Sequence, residues 1–301
     1  MATHGEEWHE NRRKGIGGSD VAAIMGINPW KTPYQVYLEK RGETPAWDGN
    51  LATRWGQELE PVIRQWYTTE TGRIVTIPED IIQSDKYPIL LANLDGVTDD
   101  GRVLEIKTAR LARGWGEPGT DEIPDYYATQ CHHYMLVTGM ERCDVAASIG
   151  GAPPCLYHLE ADKSVSDIII QECHAFWDMV QNGTPPPPVS YADAVARYGK
   201  SAGKNQIVAS EEMVTLIRKL SANREAAKII EELDNEIKMK LISAMGDNAD
   251  SIVNITGEAL VTYKQSMGRR LLDIESLKKE SPDIYLKYSK TGNPYRRFLI
   301  K

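Results

Sequence analysis

Leu94-Asp95-Gly96, a turn-forming cluster Val97-Thr98-Asp99-Asp100-Gly101, and then Arg102-Val103-Leu104-Glu105-Ile106-Lys107-Thr108 form the stretch that fixes the architecture. Two short apolar-rich runs, Ile89 to Leu94 and Arg102 to Thr108, flank a turn, which predicts an antiparallel hairpin. Strand residues two apart share a face, so Glu105 and Lys107 project together while Leu104 and Ile106 turn to the core. Asp95, from the partner strand, reaches the same polar side. Two carboxylates beside an ammonium suit binding of a hard divalent cation and orientation or deprotonation of water attacking a phosphodiester. Taken alone, an Asp followed by Glu-x-Lys is a weak pattern and reads first as a solvated hairpin face with an ordinary Glu/Lys pair.

Three companions shift that balance. Glu60, in Gly56-Gln57-Glu58-Leu59-Glu60-Pro61, is a third carboxylate on a helix preceding the hairpin. Tyr126 to Met135 is a polar cluster in an otherwise apolar helix, where Gln130, His133 and Tyr134 fall on one face suited to hold water, phosphate or the lysine. His132 and His133 diverge by roughly 100° on a helix and do not chelate one zinc. The third is Trp8 to Asp20, where Gly15, Gly17 and Gly18 let backbone N–H groups approach a phosphate, and Arg12 and Ser19 add a guanidinium fork and a hydroxyl. It matches neither the Walker A loop nor the dinucleotide fingerprint.

The flanking pattern predicts a turn at Gly15 to Asp20 leading to a helix near Val21, with Ser19 or Asp20 as its cap. Helices follow over Pro33 to Arg41 and between Asn50 and Glu70, the latter with Trp55, Leu59, Val62, Ile63 and Trp66 at helical spacing. Pro124 to Val137 and Val165 to Val180 read as helices, and Cys143 to Ile149 and Cys155 to Leu159 as strands.

With 301 residues, the chain exceeds a usual single core of roughly 100 to 200 residues. Residues 1–183 read as the core, 184–206 as a connector opened by Thr184-Pro185-Pro186-Pro187-Pro188, and 207–301 as an appendage. The appendage carries a long amphipathic helix from Ser210 to Met245, strands at Ile252 to Thr256 and Ala259 to Tyr263, helices near Ile274 to Glu280 and Pro282 to Tyr288, and a last strand at Arg296 to Ile300. The net charge of −8 divides into −12 up to Ser190 and +4 beyond it, so the sum alone does not exclude an anionic polymer. From Lys264 to Lys301, 10 basic residues stand against 4 acidic ones, interleaved with Tyr285, Tyr288, Tyr295 and Phe298, as suits phosphates and unstacked bases or a small solvated sheet.

Four cysteines without a CxxC pair predict reduced thiols and neither a disulfide framework nor a zinc site. The absence of a run of about 18 apolar residues, and of a signal-peptide core, points to a cytoplasmic protein with no membrane partner.

The ordered set Trp8-x-x-x-Arg12, Gly17-Gly18-Ser19-Asp20, Gly56-x-x-x-Glu60-Pro61, Asp95-Gly96, Glu105-Ile106-Lys107 and Tyr127-x-x-Gln130 resembles the YqaJ-type viral recombinase family. That family is the lambda exonuclease branch of the PD-(D/E)XK nucleases, and the likeness spans roughly residues 8 to 180. It implies an α/β (α+β) restriction-endonuclease-like core with a mixed sheet flanked by helices. It also implies Mg2+-dependent 5′ to 3′ hydrolysis of one strand of linear duplex DNA, Mn2+ substituting, to leave a 3′ overhang. By motif position, Glu60, Asp95, Glu105 and the Ile106 carbonyl are implied metal ligands, Lys107 and Gln130 handle water and the scissile phosphate, and Arg12 and Ser19 bind the terminal 5′ phosphate. Double-stranded DNA ends, a trimeric ring, a single-strand annealing protein and, for a phage or prophage enzyme, the host cytoplasm are the implied setting. Leu94 stands where the superfamily has proline, and His132 where a second polar amide is common.

Two competing functions share these residues. An endonuclease of repair or restriction would linearise closed circular DNA. A non-catalytic DNA-end-binding module would be indifferent to Lys107→Ala.

Overall fold

The computed structural model describes residues 6–44, 49–200, 205–292 and 295–300, with side chains from Glu10 onward. The Trp8 side chain and Lys301 therefore lie outside the described residues. The chain divides into two compact units, Met1–Tyr198 and Gly199–Lys301.

The first unit opens with α1 (Glu6–Arg13), β1 (Ile16–Gly17) and α2 (Gly18–Ile24). The second helix starts earlier than the sequence suggested, because Gly17 supplies the cap and Asp20 lies inside the first turn, its carboxylate accepting from the Gly17 N–H at 3.2 Å. Next comes α3 (Pro33–Lys40), fixed at its start by a reciprocal Thr32–Gln35 box with Pro33 in the first turn. Helix α4 (Leu51–Thr71) is capped by Asn50 and closed by Gly72 at φ 72°. Only part of its expected apolar face is used: Ile63 and Tyr67 are buried with Leu59 and Trp66 against them, while Trp55 and Val62 stay 62% and 63% exposed. The reason is geometric, since Val62 is rotated by about 100° from Ile63 and leaves the narrow row that meets the sheet.

Strands β2 (Val75–Thr76), β3 (Ile82–Gln83), β4 (Leu90–Ala92), β5 (Gly96–Thr98) and β6 (Arg102–Ala109) follow. The expected hairpin forms between β5 and β6, but the run Ile89 to Leu94 is not its first arm. The chain changes sheets at Asn93–Asp95, leaving β4 parallel to β1 and antiparallel to β3 in a separate three-stranded sheet. Helix α5 (Asp125–Thr138) then crosses over to β7 (Arg142–Ile149), parallel to β6, and β8 (Cys155–Glu160) returns antiparallel. The main sheet has the order β2-β5-β6-β7-β8 and is mixed, as expected.

Alternation along β6 assigns its two faces. Leu104 and Ile106 join Ile63, Tyr67 and Ala146 on the α4 side, while Val103 packs on the other side with residues of α2, α5 and α6 (Lys163–Asn182). Glu105 and Lys107 share the Val103 face, towards α5.

Within the stretch expected as a connector, the prolines lead into α7 (Tyr191–Tyr198), which is fastened to the core. Its buried Asp193 accepts from the Thr32 hydroxyl at 2.9 Å and from the Val189 N–H at 3.2 Å. The second unit holds α8 (Glu211–Met245), capped by Ser210 and ended at Gly246, an antiparallel pair β9 (Ser251–Val253) and β10 (Ala259–Thr262), then α9 (Ile274–Glu280) and α10 (Pro282–Tyr288). The strand expected at Arg296 to Ile300 does not form: residues 295–300 enter no ladder, and Phe298 and Leu299 are exposed. All four cysteines are free. No helix among the described residues is long and apolar enough to cross a membrane.

Candidate active site

The β5–β6 register pairs Gly96 with Leu104, so Asp95 falls opposite Glu105 one step further along the ladder. The Ile106 N–H donates to Asp95 Oδ2 at 2.7 Å, fixing that carboxylate at the strand edge. Glu105 is buried; its Oε1 accepts from Lys107 Nζ and from Gln130 Nε2 at 2.8 Å. Its second oxygen, Oε2, is buried without a hydrogen-bond partner. Lys107 also donates to Gln130 Oε1 at 3.1 Å, and its ammonium lies 5.0 Å from the centre of the Tyr127 ring. Gln130 Nε2 reaches Tyr134 Oη at 2.9 Å, so one amide from the crossover helix organises carboxylate, ammonium and phenol together.

Burial first, and the Glu105 charge second, push the Asp95 carboxyl well above the usual carboxylate range, against the pull of Lys107. Burial likewise raises Glu105, with Lys107 opposing it. Burial would lower Lys107, but Glu105 and Asp95 outweigh that and hold it above its ordinary value, as an ammonium. A buried Glu105 with a bare oxygen and a half-buried Asp95 opposite it, which resist joint ionisation, are a donor set that a hard divalent cation satisfies.

Glu60, expected as a third ligand, is paired with Arg64, whose Nε donates to the Asp95 carbonyl at 3.0 Å. No group of three His, Cys, Asp or Glu side chains is gathered for a metal among the described residues. The geometry therefore unites Asp95, Glu105, Lys107 and Gln130 and keeps Glu60 on its arginine, within electrostatic range of both acids.

Arg12 Nη2 donates to Ser19 Oγ at 2.8 Å, so those two expected partners do meet. They adjoin the acid site through Gly18, where an added Cβ would lie 2.5 Å from the Tyr134 ring and 3.1 Å from Gln130. Beneath them lies a group whose role sequence reasoning did not give. Asp20 is wholly buried and ion-paired with Lys40 at 2.7 Å, Lys31 at 3.1 Å and Arg12 at 3.6 Å. Burial raises its carboxyl, yet Lys40, Lys31 and Arg12 together hold it well below the usual range. In the sequence it stood only as a possible cap and as the last residue of the Gly17-Gly18-Ser19-Asp20 motif, with no role attached. His133, expected beside Gln130 and Tyr134, turns inward instead: a carbonyl only accepts, so its Nε2 donates to the Leu91 oxygen at 2.9 Å.

A mixed sheet that presents opposed carboxylates and a lysine from adjacent strands, with a glutamine from the crossover helix, defines a restriction-endonuclease-like nuclease fold. The YqaJ-like viral recombinase domain matches residues 7–141. The YqaJ protein of Bacillus subtilis (strain 168) is 30% identical over 309 residues, spanning 98% of this chain and 94% of its own. The chain belongs to the YqaJ-like viral recombinase family. Among solved structures, LHK-Exo in complex with dAMP is 25% identical with a TM-score of 0.50, covering 60% of this chain and 94% of that one. A second structure, an alkaline exonuclease (LHK-Exo) from Laribacter hongkongensis, has the same identity and coverage and a TM-score of 0.49. By family and fold this chain is an enzyme of the exonuclease class.

Proposed function

We propose that the protein is a Mg2+-dependent 5′ to 3′ exonuclease that degrades one strand of linear duplex DNA, Mn2+ substituting, and leaves a 3′ overhang for a single-strand annealing protein. The observation that carries this reading is the Asp95–Glu105 pair with its bare Glu105 Oε2 beside a charged Lys107. A cation bound there, with Asp95 and Glu105 as its principal holders and Glu60 and the Ile106 carbonyl as further ligands, would polarise a phosphoryl oxygen and offset charge developing on it.

The chain's own groups do the rest. Lys107, kept as an ammonium, donates to the attacking water and to the phosphate and does not deprotonate the water. Gln130 holds Lys107 and Glu105 in one orientation. Water oxygen bonds to phosphorus, the P–O3′ bond breaks, and the proton released by the water passes to bulk solvent while O3′ is protonated. A mononucleotide leaves, and the shortened strand carries a new 5′ phosphate that Arg12 and Ser19 receive. A trimeric ring around the duplex belongs to the same proposal.

Digestion of end-labelled linear duplex, with and without a 5′ phosphate, in Mg2+, Ca2+ or EDTA tests it. Mononucleotides released from the 5′ end in Mg2+ alone, with closed circles left intact, are expected. Release from the 3′ end, or cutting of circles, overturns the polarity or the exonuclease assignment. Light scattering of the full chain at the mass of three copies is expected for the ring, and a monomer mass removes it.

A further inference from the structure

Trp30 is 68% exposed and has no place in the site described so far. It is not a loose surface residue. Asn28 Oδ1 accepts from the Trp30 N–H at 2.8 Å and from the Lys31 N–H at 3.0 Å, a local turn that aims the indole outward. Behind it, Lys31 is anchored on the buried Asp20 at 3.1 Å and on Glu39 at 2.6 Å. The indole meets Tyr126 edge-on, with ring centres 5.0 Å apart and planes at 81°. Tyr126 in turn touches Tyr127 at 4.4 Å, and the Tyr127 ring carries the Lys107 ammonium. A continuous aromatic run thus leads from the reacting centre to an indole open to water, whose exposure leaves room for a flat partner.

Large aromatic side chains usually enter a core, since burying one stabilises by about 1.5 to 3 kcal/mol. An indole kept out by a hydrogen-bonded turn, next to a phosphodiester site, offers what an unpaired nucleobase lacks once it leaves the duplex: a π face. We propose that Trp30, backed by Tyr126, is a base-stacking residue that holds a nucleobase flanking the scissile phosphate and so favours substrate whose bases are splayed from the helix. This rests on the nuclease reading of the Asp95–Glu105 site. Neither Trp30 nor Tyr126 contacts the acids or Lys107 directly, so the role is substrate positioning.

The test compares wild type, Trp30→Ala and Trp30→Phe on 5′-phosphorylated duplexes that carry either a normal base or an abasic residue next to the first scissile bond. Trp30→Ala is expected to raise KM about tenfold on the normal duplex, the scale of one lost stack. On the abasic duplex, wild type and Trp30→Ala should converge, and Trp30→Phe should recover most of the discrimination. Equilibrium binding in Ca2+, read by 2-aminopurine placed at the same position, gives an arm independent of hydrolysis: quenching by wild type and its loss in Trp30→Ala support stacking. Equal quenching by both proteins, or unaltered base-versus-abasic discrimination in Trp30→Ala, overturns the proposal. Quenching by a wild type that cuts nothing would reject the nuclease reading and leave the stacking site standing.

Discussion

Glu105 has one oxygen engaged by Lys107 and Gln130 and the other buried without a partner, an arrangement that costs about 1 to 3 kcal/mol unless something fills the vacancy in its bonding. Its isosteric replacement in Glu105→Gln removes the charge and keeps the shape. Hydrolysis of linear duplex by that variant is expected to fall by at least about 10²- to 10³-fold, with binding of the duplex in Ca2+ retained. Digestion near the wild-type rate would remove Glu105 from the reaction. Arg12 makes a separate prediction, because its guanidinium already holds the Ser19 hydroxyl. Arg12→Ala should slow 5′-phosphorylated ends selectively, by about tenfold, relative to 5′-hydroxyl ends measured by the same mononucleotide release. Equal slowing of both would deny it the terminal phosphate.

Helix α5 connects the site to the core, and His133 is its buried polar link. Burial lowers this imidazole from 6.5 to about 4, with the Leu91 carbonyl acting against the shift, and its Nδ1 has no partner. Folded protein therefore keeps His133 neutral where the unfolded chain takes up a proton. Stability contributed by the neutral ring is full above pH 6.5 and is lost as the pH falls towards 4, a span corresponding to about 3 kcal/mol. Urea midpoints across that range should drop for wild type, and more shallowly for His133→Gln; parallel profiles would contradict the assignment. The elements themselves were largely legible. The spacing marked α3, α5, α8, β7 and β8 to within a few residues, because periodicity, Pro33 and Gly139 act locally. The placement of β4 in another sheet was not legible, since an apolar run states that it is buried and not which strand it pairs with. The Glu105–Lys107 alternation exposed the heart of the site, whereas Glu60's attachment to Arg64 depends on an i,i+4 choice that competes with the cation.

For the whole molecule, the hidden organiser is Asp144, a residue that sequence reasoning passed over because nothing local marks it. From near the start of β7 it accepts from Tyr67 Oη of α4 at 2.7 Å and from Arg102 of β6 at 3.2 Å, and it meets His158 Nδ1 of β8 at 2.8 Å. Arg73, beyond α4, approaches at 3.5 Å. Asp144→Ala would strand the buried Tyr67 hydroxyl, while Arg73 and Arg102 keep Asp100 as a partner, and is expected to cost about 1 to 3 kcal/mol in chemical denaturation; a change below about 0.5 kcal/mol would show the network to be dispensable. This scaffold holds the strand bearing Glu105 in register with Asp95, on which the chemistry depends. The most direct measurement is anomalous scattering from crystals of the full chain saturated with Mn2+. A peak between the Asp95 and Glu105 carboxylates, absent in Asp95→Asn, is predicted; strong manganese density elsewhere with that pocket empty would contradict the account.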